Sequence, residues 1–155
     1  MSYQEQMLKL IDKYRDAGQK WPAESAEIAT WAIHKKLYAP HPEDIIKQCA
    51  DHLSRAMRSE HLTDPQGRRV RAKHAATYHE GDKQHVLWDD IRTAEHDHMI
   101  LALQQRRQQI LGDCKQLKID VDSYNENRKP KDPIQMVFDF TLDLEEAELI
   151  RRKVA

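Results

Sequence analysis

Apolar side chains recur at helical spacing through the first sixty residues and predict three helices. The first runs from Tyr3 to Ala17 and carries one apolar stripe, formed by Met7, Leu10, Ile11 and Tyr14. The second is predicted from Pro22 to Leu37, with proline at the first helical position. The third begins at Pro42, and we expect it to bury apolar residues spaced three or four apart, namely Ile46, Cys49, Leu53 and Met57.

Short polar signals mark where the first helix begins and ends. Ser2 followed by Glu5 is the pattern of a capping box, in which each side chain accepts a hydrogen bond from the other residue's backbone amide. Gly18 stands just after the helix, at the position where glycine most often ends one. These signals agree with the boundaries that the apolar stripe predicts.

The repeat then changes from helical spacing to alternation. Between Arg69 and Tyr78, apolar and basic residues alternate as they do in a half-buried strand. Turn sequences bracket this strand at Asp64–Gly67 and Glu80–Lys83, and the apolar run Val86–Trp88 follows the second turn. We therefore expect a small sheet of two or three strands, with Val86 and Trp88 in the core.

A long polar helix is predicted from Ala94 to Asn127. One apolar seam runs along it, formed by Leu103, Ile110, Cys114, Leu117, Val121 and Tyr124. A helix of this length extends on the order of 50 Å, so part of it must find another surface. We expect a homodimer through this helix, although Arg106 and Arg107 interrupt the seam. The alternative is that the helix folds back along its own chain.

The last part of the chain predicts a strand and a helix. Alternation from Ile134 to Phe140 is typical of a strand, which must pair with a sheet of its own chain or of a partner. A terminal helix is predicted from Leu142 to Val154, with acidic residues near its start and basic residues near its end. The predicted fold class is mainly α with a small β-hairpin.

Composition limits how deep a core the chain can build. Leu, Ile, Val and Phe make up about a fifth of the 155 residues, 33% are charged and the mean hydropathy is -0.87. Four glycines leave no Gly-rich phosphate loop of either common pattern. We expect a thin core in an elongated helical protein, and large α/β enzyme folds are excluded.

Targeting and redox signals point to the cytoplasm. No apolar run approaches the roughly 20 residues of a membrane helix. Residues 1–5 are polar and acidic, whereas a secretory signal begins with basic residues. We expect Cys49 and Cys114 to be free and buried as small hydrophobic residues.

The order of three helices followed by a basic hairpin resembles the winged-helix superfamily of DNA-binding proteins. The resemblance is carried by His52–Arg58 and Leu62–Arg71, which look like a recognition helix and a wing, and it extends over about residues 3–90. It implies a winged-helix-like three-helix core in a domain of residues 1–92. Residues 93–155 are expected to form a packing or dimerisation extension.

The resemblance also implies which residues touch DNA. In such proteins the third helix enters the major groove and the wing reaches the phosphate backbone. The residues placed to contact bases or phosphates are Lys47, Ser54, Arg55 and Arg58. The residues placed to contact the backbone are Arg68, Arg69, Arg71 and Lys73.

The charge pattern agrees with this resemblance only locally. The net charge of the chain is -1, but residues 55–79 hold six basic and two acidic residues. Clustered arginines favour nucleic-acid binding, because each neutralised phosphate releases counterions. The alternative is that basic residues on a solvated strand protect the sheet edge from aggregation. The sequence therefore predicts non-catalytic binding of double-stranded DNA in a protein resembling a transcription regulator.

Neither catalysis nor metal binding is favoured by the spacing of reactive side chains. Nine histidines are present, but His96 and His98 lie two apart at a helix start and point to different faces. Pairs such as Cys49 with His52, or His74 with Asp89 or Asp90, lack a third group to orient them. We expect no enzymatic activity, no metal ion and no cofactor.

A protein-interaction adaptor is the alternative function. It would use the long helix and the Phe138–Phe140 strand as its docking surface, with the winged-helix fold making no DNA contact. Gln84–Trp88 resembles the Gln-x-x-Leu-aromatic peptide by which bacterial replication proteins dock on the sliding clamp, and Gln135–Phe138 is a looser version. Such short patterns also arise by chance, and a hairpin strand that places Val86 and Trp88 in the core explains Gln84–Trp88 better.

Overall fold

A computed structural model describes residues 2–154. Within them the chain has five helices and two small antiparallel hairpins, so the mainly helical class with a small β component is confirmed. The elements in order are α1 (Tyr3–Asp16), α2 (Ser25–His34), α3 (Asp44–Ser59), β1 (His61–Thr63), β2 (Arg69–Arg71), β3 (Lys73–Glu80), β4 (Lys83–Asp90), α4 (His96–Arg128) and α5 (Thr141–Val154).

The chain divides between His52 and Leu53 into two compact units, called here the first and the second unit. None of the described helices is both long enough and apolar enough to cross a membrane.

Helices α1 and α2 pack together in the first unit. The predicted capping box of α1 is confirmed: Ser2 Oγ accepts from the Glu5 amide at 3.1 Å, and Glu5 Oε2 accepts from the Ser2 amide at 2.7 Å. Gly18 follows this helix with φ +69°, as its end requires. Tyr14 is buried and meets the ring of Trp31 edge-on at 5.5 Å.

The prediction that α2 starts at Pro22 is wrong. The helix starts at Ser25, because Glu24 is its N-cap and the Glu27 carboxylate accepts from the Glu24 amide at 2.9 Å. Proline at a first helical position and an acidic capping box are both start signals, and here the second one sets the boundary.

The predicted burial of the α3 stripe is also wrong. None of the residues of α3 is buried; Ile46 is 76% exposed, Leu53 and Cys49 are exposed, and Met57 is half-buried. The helical spacing was correctly recognised, but spacing shows only that the residues share a face. Of the four residues on that face, only Met57 is even partly covered.

The predicted strand Arg69–Tyr78 is in fact two strands that belong to different hairpins. Strand β2 pairs with β1, and β3 pairs with β4. The chain bends at Ala72, whose amide donates to Glu60 O at 3.0 Å and whose carbonyl accepts from the Ile91 amide at 2.9 Å. Both predicted turns are confirmed. The predicted burial of Val86 in the core is wrong, because its side chain is 53% exposed.

Helix α4 packs on β3 through small residues. Ala72, Ala76 and Ala102 are buried between the elements of the second unit, and they permit a close approach. The amide of Gln105 binds both backbone groups of Thr77: its Oε1 accepts from Thr77 N at 2.7 Å, and its Nε2 donates to Thr77 O at 2.9 Å. Gln105 therefore gives this stretch of β3 the hydrogen bonds that another strand would supply.

The segment Ile134–Phe140 is not a strand, contrary to the prediction. Its first residue is held by Asn125 of α4, whose amide group donates to Ile134 O at 2.9 Å and accepts from Ile134 N at 3.0 Å. No described strand lies beside it, and an alternating sequence becomes a strand only when another strand pairs with it. The predicted terminal helix after it is confirmed as α5.

Replacing Gln105 by alanine should destabilise the second unit by about 1 to 2 kcal/mol, because both backbone groups of Thr77 would lose their side-chain partner. Urea unfolding followed by circular dichroism measures this loss. Gln104→Ala on the exposed side of the same helix is the matched control. Equal effects of the two substitutions would contradict the role given to Gln105.

Candidate nucleic-acid interface

Seven of the eight predicted DNA-contacting residues lie in the second unit, on three consecutive elements. Helix α3 carries Ser54, Arg55 and Arg58, the β1–β2 hairpin carries Arg68, Arg69 and Arg71, and β3 begins with Lys73. Lys47 is exposed and belongs to the first unit. The candidate interface is therefore built from the residues of the second unit.

Arg68 is part of the β1–β2 turn. The Asp64 carboxylate accepts from the Arg68 amide at 2.8 Å, from the Gln66 amide at 3.0 Å and from Arg68 Nε at 2.7 Å. These bonds, first among them that from the Arg68 backbone, hold the pKa of Asp64 below its usual value. The charge of Arg68 is thus already balanced by a neighbour in its own turn.

Lys73 is balanced in the same way by two carboxylates. Its Nζ lies 3.1 Å from Glu60 Oε2 and 3.2 Å from Asp90 Oδ2, and these bonds, with Glu60 first, raise the pKa of Lys73. Asp90 also binds Arg92 at 2.7 Å, which is the main reason that the pKa of Asp90 is strongly lowered. Lys73 therefore links the residue before β1 to the end of β4.

Four of the predicted arginines have no carboxylate partner anywhere in residues 2–154. They are Arg55, Arg58, Arg69 and Arg71, called here the unpaired arginines. The guanidinium of Arg58 lies 5.7 Å from the ring centre of Trp88, a cation–π contact that leaves its N–H groups available. Guanidinium groups without carboxylate partners are suited to bind phosphate oxygens from outside the protein.

Local geometry arranges the unpaired arginines in two pairs. Arg55 and Arg58 are three residues apart on α3 and so share a face of the helix. Arg69 and Arg71 are two apart on β2 and point to the same side of the strand. The bond between the Ala72 amide and Glu60 O joins the end of α3 to the end of β2.

Arg106 of α4 is a further candidate that the sequence reasoning missed. Its pKa is lowered, first by partial desolvation and then by the positive charge of Arg71. Two positive charges are therefore close together, and no ion pair in the described part of the chain involves either one. The sequence does contain a signal for this residue, because Arg106 interrupts the apolar seam of the long helix. That interruption was taken only as evidence against a coiled coil.

A buried hydrogen-bond network supports the backbone at Arg71. His74 and His98 are both buried. His74 Nε2 donates to Arg71 O at 3.0 Å, and His98 Nε2 donates to His74 O at 3.0 Å. With that nitrogen as donor, Nδ1 of a neutral His98 accepts from the Tyr78 hydroxyl at 2.9 Å. The network positions the end of β2, and with it Arg71, relative to α4.

No group of three or more His, Cys, Asp or Glu side chains suited to a metal ion occurs among the described residues. Cys49 and Cys114 are free, and Cys49 is exposed although it was predicted to be buried. The chemistry that this arrangement offers is electrostatic, namely guanidinium groups that can bind anions.

Comparisons of the chain with models of known protein families, with curated proteins and with solved structures find no match. The functional interpretation therefore rests on the residues of the chain itself.

Asp90→Asn should destabilise the protein at neutral pH, because Arg92 would lose its charged partner and Lys73 would lose one of its two. The fold lowers the pKa of Asp90, so its stabilising effect is present above the ordinary value of 3.8 and is lost as the pH falls below it. Urea unfolding at pH 7, 5 and 3 should show the same difference between the variant and the wild type at pH 7 and 5, and a smaller difference at pH 3. Asp113→Asn on exposed α4 is the control, and a constant difference at every pH would contradict the assignment.

Proposed function

We propose that this protein binds double-stranded DNA without catalysing a reaction, through the unpaired arginines of its second unit. The observation that carries the proposal is the contrast among neighbouring cations. Arg68, Lys73 and Arg92 are balanced by Asp64, Glu60 and Asp90, whereas the unpaired arginines have no carboxylate partner in the described chain.

The chemistry of arginine supports DNA rather than a small anion as the ligand. Each guanidinium presents a planar fork of donors that matches a phosphate or the edge of a guanine. The two pairs lie on a helix and on the hairpin that follows it, so that one ligand touching both would have to be extended and polyanionic. The net charge of -1 means that attraction to DNA would come from this cluster and not from the chain as a whole.

The winged-helix interpretation is part of the proposal in a limited form. Helix α3 followed directly by the β1–β2 hairpin is the order of a recognition helix and a wing, and it supports contact by Arg55 and Arg58 in a groove and by Arg69 and Arg71 at the backbone. The exposure of the α3 stripe gives no support to a three-helix core. A role like that of a transcription regulator follows only if the protein binds particular DNA sequences more tightly than random ones.

An adaptor function is the second candidate, and one observation favours it. Residues 135–139 form no element, and none of their backbone groups has a hydrogen bond within the described chain. Val137 is 80% exposed. Segments whose main-chain groups are unpaired can bind partners by main-chain pairing, with alternate side chains in pockets of the partner. The other clamp-like sequence, Gln84–Trp88, lies in β4 and is paired with β3, so Gln135–Phe138 is the better docking peptide of the two.

Arg69→Ala/Arg71→Ala should weaken binding to a random fluorescent DNA duplex and flatten its salt dependence, since each phosphate contact contributes roughly 0.9 to the log–log slope. Fluorescence anisotropy over a salt series measures both quantities. Lys9→Ala/Lys13→Ala on exposed α1 removes the same charge and should leave the slope unchanged. Arg68→Ala should change the slope less than Arg69→Ala, because Asp64 already balances Arg68.

Two outcomes would overturn the DNA proposal. One is an absence of binding at low salt, which would leave Arg69 and Arg71 as protection of the open edge of β2. The other is an equal flattening of the salt dependence in the α1 control variant. That result would show that DNA binding depends on the total charge of the protein and not on Arg69 and Arg71.

The adaptor candidate predicts salt-insensitive binding to a purified bacterial sliding clamp, used as the probe. Gln135→Ala/Phe138→Ala should weaken that binding by about tenfold or more, as expected for anchor residues at an interface. Gln84→Ala is the control, because Gln84 lies within a paired strand. Loss of binding in the control variant alone would contradict the choice of peptide, and no binding by the wild-type chain would remove the clamp as its partner.

A further inference from the structure

Helix α4 carries its apolar residues in a seven-residue repeat. In each repeat a first position is followed three residues later by a second one, which is the spacing of helices that wrap around each other. The first positions hold Ile100, Arg107, Cys114 and Val121, and the second positions hold Leu103, Ile110, Leu117 and Tyr124. These eight residues, called here the heptad face, include one charged residue.

The heptad face is largely open to solvent. Its large apolar residues Ile100, Leu103, Ile110, Leu117 and Tyr124 are all exposed, whereas Cys114 and Val121 are half-buried. The side chains of α4 that contact β3 belong to His98, Ala102 and Gln105, which lie on the opposite side of the helix. The β3–β4 hairpin therefore leaves the heptad face free for another helix, and an exposed apolar face of this extent marks an interaction site.

Two arginines of α4 indicate which way a second copy of the helix would run. Arg107 stands on the heptad face and Arg106 lies beside it. A parallel copy in register would bring both arginines of both chains to the same level, and four positive charges so close together repel one another. An antiparallel copy centred near Gly112 separates the two Arg107 residues by about 15 Å along the helix axis.

The antiparallel register about Gly112 gives every residue of the heptad face a partner on the other copy. The opposed pairs are Ile110 with Cys114, Arg107 with Leu117, Leu103 with Val121, and Ile100 with Tyr124. Beside the face, exposed Leu111 meets Leu111 of the other copy, and Arg106 lies opposite Asp120. The two Asp113 carboxylates are the one unfavourable opposition, and water screens such an exposed pair.

Arg106 and Asp120 each lack an oppositely charged partner in their own chain. No ion pair within residues 2–154 involves either of them, and Asp120 accepts only a neutral hydrogen bond from Gln116 at 2.9 Å. Partial desolvation of Arg106 lowers its pKa, so its charge is held at a cost that a nearby carboxylate would offset. The antiparallel register brings these two residues together twice, once on each side of the two-fold axis.

We propose that two copies of this chain associate through their α4 helices as an antiparallel coiled coil, with the heptad faces in contact and Arg106 of each copy beside Asp120 of the other. The interface is isologous, so the assembly closes at two copies. The unpaired arginines lie on α3 and β2. The association therefore does not depend on DNA binding, and a dimer carries two sets of these arginines.

Exchange of the two charges tests the register. Arg106→Asp alone and Asp120→Arg alone each set like charges against each other, so each variant should dimerise about tenfold more weakly than the wild type in sedimentation equilibrium. Arg106→Asp/Asp120→Arg restores both pairs and should return the affinity to within a few-fold of the wild type. That recovery also shows that the substitutions leave the chain folded. A double variant no tighter than the single ones would overturn the register.

Substitutions on the heptad face test the surface itself. Leu117→Asp should make the protein monomeric at concentrations where the wild type is a dimer, because it places a carboxylate between the helices. Leu149→Asp changes an exposed leucine of α5 and should leave the dimer intact. Arg107→Leu should tighten the dimer by about tenfold, since leucine packs against Leu117 of the other copy. A wild type that stays monomeric at millimolar concentration, or equal effects of the two aspartate substitutions, would overturn the proposal.

Cross-linking distinguishes the two orientations. In a Cys49→Ser/Cys114→Ser background, chains carrying Leu103→Cys are mixed with longer, tagged chains carrying Val121→Cys, and diamide then oxidises pairs of nearby thiols to disulfides. The antiparallel register opposes these two positions, so mixed dimers should predominate on a non-reducing gel. Cross-links mainly between chains of the same kind would indicate a parallel pair and contradict the inference.

Discussion

The contact between α4 and β3 organises the second unit. Buried alanines at Ala72, Ala76 and Ala102 bring the helix and the strand close together, and this proximity allows Gln105 to bind both backbone groups of Thr77. His98 of the same helix reaches the carbonyl of His74 in the strand. Because small side chains supply little apolar burial, hydrogen bonds to the strand backbone take a larger share in fixing its position.

The distribution of ion pairs separates basic residues with a structural role from those available to a ligand. Lys73 joins Glu60 to Asp90 across 30 residues of chain, and Arg68 closes the turn on Asp64. These cations contribute to the fold, and any external anion would have to compete with their own carboxylates. The unpaired arginines carry no such competition, which is why the functional proposal rests on them. The same neighbourhood therefore contains basic residues of both kinds, adjacent in sequence.

The thin core has consequences for how the protein works. No large side chain of the described residues is fully buried, and α3, residues 135–139 and α5 all present apolar groups to water. A chain with so little buried apolar surface gains stability from whatever covers those groups. Binding of a partner or a ligand to these groups would thus stabilise the fold.

The sequence by itself determined the helices, the turns and the location of the basic cluster. The capping box at Ser2 and Glu5, the turn at Asp64–Gly67 and the apolar periods of α1 and α4 are local features, and local patterns specify them. The sequence alone did not show which basic residues are neutralised by carboxylates. Nor did it show that Ala72 divides one alternating segment between two hairpins, or that no strand pairs with Ile134–Phe140. Those outcomes depend on contacts between residues far apart in the chain, such as Lys73 with Asp90 and Gln105 with Thr77. Periodicity shows which residues share a face, but only the tertiary structure decides whether another part of the molecule covers it.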